Sequence, residues 1–171
     1  ATEIDIDDAQ SPYARCKLKE EALIKNAIKE NKLNAKILRF GTIYGVSPGM
    51  RFHTAVNKFC WDAAIRGSIT VWETALEQNR PYLDLQDAVR AIQHFIFNNA
   101  DSGIYNCATN TNNVNEIVEL ISEFKANITI NKIDSSIMNR LTYGVNNGKL
   151  IRTVFDFEGD LRIAIKEALS L

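Results

Sequence analysis

Tyr13 and Lys17 stand four residues apart in the segment Ser11-Pro12-Tyr13-Ala14-Arg15-Cys16-Lys17, which opens a long helical pattern. At that spacing two side chains lie one above the other on the same helix face. A free phenol near pKa 10 is a poor base at neutral pH, and a cation one turn away favours its ionised form. The pair therefore suggests proton transfer in the service of redox chemistry. Taken alone the spacing is weak evidence, because the chain has five tyrosines and the ordinary alternative is an exposed pair on a surface helix.

The elements that must position this pair alternate between helical and strand periodicity, without repeats or low-complexity linkers, which argues for an α/β or α+β domain. The spacing predicts a first helix over residues 12–31, with Ser11 as N-cap, Pro12 in its first turn and Leu18, Ala22, Leu23, Ile24, Ala27 and Ile28 as apolar positions. Residues 35–40 (AKILRF) read as a buried strand. The following GTIYGVSPG, residues 41–49, reads as a loop at a strand end, where α/β folds bind ligands. A second helix over 52–66 stops at Gly67, and short strands follow over 68–72 and 81–85. Asp87 is placed to cap the next helix, a strand covers 104–108, and Asn113 with Glu116 resembles a capping box. A strand over 128–133, an irregular stretch through Gly148 and a helix over 159–169 complete the reading.

Composition narrows the class. The chain has 171 residues, 46% of them hydrophobic, enough for one core and a small satellite. Twenty basic against 21 acidic side chains give a formal charge of -1, with no basic stripe, so nucleic acid is not the expected partner. No apolar run approaches the roughly 20 residues that cross a bilayer, and no secretory leader is read, so no membrane partner is expected. Cys16, Cys60 and Cys107 are odd in number and set in periodic segments, which reads as buried reduced thiols and a cytoplasmic location. His53 and His94 lack metal-spaced neighbours, and Asp5, Asp7 and Asp8 read as a solvated tail rather than a cation loop. Trp61 and Trp72, with Phe59 and Phe95, read as core or interface.

Several motifs fall in one order: YARCK, ILRFGTIYG, a helix ending IRGSITVW, NRPYLDLQDAVRAI and GIYNCATNTNNVNEIVELI. In that order the chain resembles the extended short-chain dehydrogenase/reductases, and more narrowly the NAD-dependent epimerases and dehydratases of nucleotide sugars. The resemblance implies an α/β fold: the C-terminal part of a Rossmann-like fold plus a small α+β substrate-binding domain, with the N-terminal dinucleotide-binding half missing. It divides the chain into a Rossmann-like remnant, 1–51, and a substrate-binding region, 52–171, with possible return segments to the Rossmann-like sheet. Neither the glycine-rich phosphate loop nor the acidic residue for the adenosine ribose is present. Thr2 is a poor substitute for the serine or threonine that precedes the tyrosine in the family, and is given no role.

The resemblance implies roles for particular residues. Tyr13 becomes the general acid/base, and Lys17 holds the nicotinamide ribose while lowering the phenol's pKa. Thr42 and Ile43 lie where relatives approach the nicotinamide and the sugar. Arg80 matches an arginine that grips the nucleotide diphosphate, Asn57 an asparagine of the substrate-binding helix, and Arg140 a second phosphate-side arginine. For each the alternative is an ordinary loop, helix or surface residue. Asp84 stands where the family has a histidine. NAD or NADP is the implied cofactor of the complete enzyme, bound weakly or not at all by this chain, and a nucleotide sugar is the implied substrate. Two readings stay open: half of an enzyme, truncated or separately encoded, or a noncatalytic binding or assembly module descended from one. Either exposes a strand edge and apolar surface, so association into a homo-oligomer or with a complementing N-terminal half is expected.

Overall fold

The computed structural model describes residues 1–4, 11–134 and 142–171. Helix α1 (Pro12–Lys29) begins as the sequence predicts: the Ser11 hydroxyl accepts from the Ala14 N–H at 3.1 Å and Pro12 sits in the first turn. It leads into β1 (Lys36–Phe40), and after Gly41 the chain continues as β2 (Thr42–Tyr44). The sequence reading made residues 42–44 loop. They form a strand because the backbone pairs in parallel with β4 (Arg80–Asp84), Thr42 against Tyr82 and Tyr44 against Asp84. Three residues are too few for periodicity to reveal such a strand.

Helix α2 (Ala55–Arg66) starts three residues later than expected, after Thr54, and ends at Gly67, whose φ of 64° is the left-handed geometry that glycine adopts without a Cβ penalty. Strand β3 (Ser68–Trp72) follows, then a 3-10 turn at Glu73–Ala75, β4 and α3 (Leu85–Phe97). Asp84, not Asp87, is the N-cap of α3: its carboxylate accepts from the Gln86 N–H at 2.8 Å, and Asp87 lies inside the first turn. Strand β5 (Gly103–Cys107) returns to pair in parallel with β1, and β6 (Asn110–Asn112), absent from the sequence reading, runs antiparallel to β4. The capping box of α4 (Val114–Phe124) forms as predicted, Asn113 and Glu116 satisfying each other's backbone N–H groups. Strand β7 (Thr129–Ile133) pairs in parallel with β3, and two short helices, α5 (Gly148–Ile151) and α6 (Leu161–Ala168), close the chain. Gly148, read as the end of an irregular stretch, thus opens a helix.

Two apolar cores result. One gathers Val56, Phe59, Ile69, Val71, Ile117, Ile121 and Ile165 between α2, β3, α4 and α6; the other joins Leu83, Ala91, Tyr105, Cys107, Leu150 and Phe155 around α3 and β5. Strand β1 is only partly buried, against the expectation of a buried strand, because β5 pairs with it along one edge. Cys16 is exposed and corrects the reading of three buried thiols, whereas Cys60 and Cys107 are buried and free. Burial pushes both of these thiols up to about 12, which leaves them protonated at neutral pH. Among the described residues no helix is long and apolar enough to cross a membrane.

Asp87 ties the second core to the C-terminal segment. It is 1% exposed, and its carboxylate accepts from the Thr109 hydroxyl at 2.8 Å, from the Glu158 and Gly159 N–H groups at 3.0 Å each and from Arg90 at 2.9 Å. Gly159 comes so close that a Cβ there would lie 2.3 Å from the Asp84 Cβ and 2.8 Å from Asp87 Oδ2. Gly159→Ala is expected to cost about 1–3 kcal/mol of stability through this overlap, read as a lower urea midpoint with an unchanged slope.

Candidate functional site

Helix α1 brings Tyr13 and Lys17 together. The Lys17 Nζ lies 5.8 Å from the centroid of the Tyr13 ring, within cation–π range, and donates to the Glu20 carboxylate at 2.7 Å. The hydrogen bond to Glu20, reinforced by its charge, raises the Lys17 pKa and keeps the ammonium charged. Tyr13 is 73% exposed and α1 contains no buried residue, so this face is open to a ligand. An ammonium with three N–H donors one turn from a phenol, on an open face, fits the hydroxyls of a nicotinamide ribose.

The sheet supplies a second locus. Thr42 is partly buried and Ile43 exposed on β2, immediately beyond the end of β1. Thr42, Tyr44, Arg80, Tyr82 and Asp84 share one face of the β2–β4 pair, because residues in register on paired strands, and alternate residues along each, point the same way. That face borders a cavity of about 520 Å³ whose walls include Phe52, Phe59, Trp72 and Tyr82, with Lys58 and Arg80 as its cations. Arg80 donates to the Gln78 amide oxygen at 3.1 Å and stacks 5.6 Å from the Tyr143 ring. Lys58 is paired with the buried carboxylate of Asp62, which also meets Arg66 at 3.2 Å. An aromatic slot with a guanidinium at its edge suits a flat ring joined to an anionic group. Beside it, the Asn112 amide oxygen is buried without a hydrogen-bond partner, directly opposite Arg80 in the strand register.

Asn57 takes a different place. It is 4% exposed and its Oδ1 accepts from the Gly45 N–H at 3.1 Å, so it pins the loop after β2 to α2. Arg140 and the Asp5, Asp7, Asp8 cluster lie outside the described residues. His53 is exposed at the cavity rim, and His94 shares a 2.8 Å hydrogen bond with Thr153. Among the described residues no three His, Cys, Asp or Glu side chains are grouped to hold a metal ion. The residues that sequence reasoning missed are the cavity walls. Tyr82 shares the face of Arg80 because β4 begins at Arg80, one residue before the strand the sequence reading placed at 81–85. Phe52, Phe59 and Trp72 were not legible, since nothing in spacing tells a cavity wall from a core.

The parallel β1–β5 pair with a tyrosine–lysine helix before it, and a separate aromatic cavity lined by an arginine, belong to an α/β protein with parallel sheets. The chain belongs to the NAD dependent epimerase/dehydratase family, whose sequence model matches residues 2–108. It is 31% identical over 91 residues to the chloroplastic UDP-sulfoquinovose synthase of Spinacia oleracea, a match covering 52% of this chain and 19% of that protein. Its fold is similar to that of the UDP-glucose 4-epimerase of Thermotoga maritima, solved with UDP-glucose, at a TM-score of 0.85 and 19% identity, covering 99% of this chain and 56% of that one. It is similar also to RMD from Pseudomonas aeruginosa, solved with NADPH, at a TM-score of 0.82 and 20% identity, covering 98% and 58%. The chain spans little more than half the length of these solved structures.

Asp84, where the family resemblance leads one to expect histidine, gives the site a titratable group of its own. Burial holds its carboxyl above the usual value, opposed by the Gln86 N–H and reinforced by the neighbouring Asp87. A carboxyl whose pKa is raised by folding binds its proton more tightly in the folded state, so ionisation costs stability, and that cost is relieved as pH falls. Asp84→Asn keeps an acceptor for the Gln86 N–H and removes the charge. Its stability relative to the parent is expected to rise as pH increases from about 3 to about 7, measured by urea unfolding across that range.

Proposed function

We propose that this chain carries the proton-transfer pair and the nucleotide-sugar cavity of an NAD(P)-dependent epimerase or dehydratase that transiently oxidises a sugar hydroxyl. The observation that carries the reading is the Lys17 ammonium stacked 5.8 Å over Tyr13 on the open face of α1. Lys17 holds a ribose hydroxyl of the cofactor and, by its charge, favours the phenolate of Tyr13. Tyr13 then takes the proton of the sugar hydroxyl as the carbon it leaves becomes a ketone. Bound beside the pair, NAD or NADP supplies the acceptor for the hydride that departs from the same carbon. Thr42 and Ile43 border the reacting sugar, and Arg80 with Arg140 takes the diphosphate while the aromatic cavity takes the base.

In this reading residues 1–51 form part of the cofactor-binding domain and 52–171 the substrate-binding region. No Gly-x-Gly-x-x-Gly occurs in these 171 residues, so the chain alone binds NAD weakly or not at all and is inactive unless that motif is supplied by another segment. The edge of β1 that is unpaired among the described residues and the exposed side of α1 are where a complementing half or a second copy joins.

In the protein at its native length, Tyr13→Phe is expected to lower turnover of UDP-sugars with NAD by about 100-fold or more while leaving calorimetric binding of UDP unchanged. Arg80→Ala is expected to weaken UDP binding by about 10- to 100-fold, since a charge-assisted hydrogen bond contributes about 1.5–3 kcal/mol. Undiminished turnover in Tyr13→Phe would remove the phenol from the chemistry.

A further inference from the structure

We propose that Arg39 and Glu21 are positioning residues for the Tyr13–Lys17 pair, a two-point clamp that sets the rotation and axial register of α1 against the strand leading to Thr42 and Ile43. The proposal rests on the redox reading above for its functional meaning, and on geometry for its substance.

Glu21 lies four residues after Lys17 and eight after Tyr13, so the three share one stripe of the helix, each offset by about 40° from the last. Exposure falls along that stripe: 73% for Tyr13, 52% for the Lys17 side chain and 16% for that of Glu21. At its buried end the Arg39 Nε donates to Glu21 Oε1 at 2.8 Å and Nη2 to Oε2 at 2.7 Å. Arg39 belongs to β1, in register with Asn106 of β5, and its Nη1 also reaches the Glu3 carbonyl oxygen at 3.4 Å. Two parallel hydrogen bonds from a planar guanidinium resist the rotation that a single point contact allows.

The axial consequence follows from chain geometry. The short connection of residues 30–35 makes α1 and β1 run in opposite directions, so the helix traced back from Glu21 and the strand traced forward from Arg39 advance the same way. Tyr13 lies about 12 Å from Glu21 at about 1.5 Å per residue, and Thr42 about 10 Å from Arg39 at about 3.3 Å per residue. The clamp therefore decides whether the phenol comes level with the strand end. Packing alone fixes this weakly, since Leu18, Ile24, Ala27 and Ile28 are only partly buried and α1 buries no side chain fully.

The exposed Cys16, with Cys60 and Cys107 buried, allows a thiol-directed spin label on α1 of the native chain, and Glu119→Cys on the exposed side of α4 supplies the second. Pulsed EPR of the parent is expected to give one narrow distance distribution. Arg39→Gln and Glu21→Gln should each widen it at least twofold, the exchange Arg39→Glu with Glu21→Arg should narrow it again, and Arg39→Lys, which keeps the charge but loses the fork, should fall between. Parent width in Arg39→Gln, with or without a lowered melting midpoint, would overturn the clamp and leave an ordinary stabilising pair. Tyr13→Phe should keep the parent width. Its undiminished turnover sinks the redox reading alone, and parent width in Arg39→Gln sinks the clamp alone.

Discussion

The buried carboxylate of Asp87 is the interaction on which the arrangement of the second core depends. A charge this deep costs several kcal/mol to desolvate unless its lone pairs are occupied, and here four donors from three parts of the chain occupy them. Arg90 reaches on from Asp87 to the Glu158 carboxylate and the Asp156 carbonyl, both at 2.8 Å, so the segment before α6 is held at two points. The Thr109 hydroxyl, which donates to Asp87, accepts from the Asp84 N–H at 2.9 Å and so carries the constraint to the end of β4. Strand end, helix start and C-terminal segment are thereby fixed relative to one charge.

From that point outward the two halves of the site differ in how they are held. The aromatic cavity is built on the larger core: Phe59 and Tyr82 contribute to both, so its shape is as rigid as the packing around them. Burial raises the Tyr82 phenol above its ordinary value, opposed by the charge of Arg80. The Tyr13–Lys17 pair stands instead on a helix with no fully buried side chain, joined to the sheet through ionic contacts. The cavity is thus attached to packing, and the tyrosine–lysine pair to an ion pair.

How much of this was legible in the sequence depended on element length. The long helix after Ser11, the glycine stop at residue 67 and the capping box at Asn113 are local devices and appear where their residue types place them. Strands β2 and β6 have three residues each, below the length at which alternation can be read, and exist only because β4 lies between them. Asp84 and Asp87 are equally good N-caps by type; which one caps was settled by where β4 stops pairing. In the site, Tyr13, Lys17 and Arg80 were visible as types in an ordered pattern. Asn57 was visible too, but its contact with the Gly45 N–H depends on tertiary placement that no spacing encodes.

The strand pairings carry a consequence for how the chain acquires its structure. Lys36 pairs with Gly103 and Ser68 with Thr129, each across roughly sixty residues, and Thr42 with Tyr82 across about forty, a distribution that places this topology among slow folders. Every one of these ladders is parallel, so none can be seeded by a tight hairpin, and each requires a large loop to close before its contacts repay the lost entropy. The helices, whose caps are local, form first and wait. During synthesis, β1 emerges long before β5, so the edge it offers to β5 stays unpaired over that interval, which gives a chaperone reason to cover it.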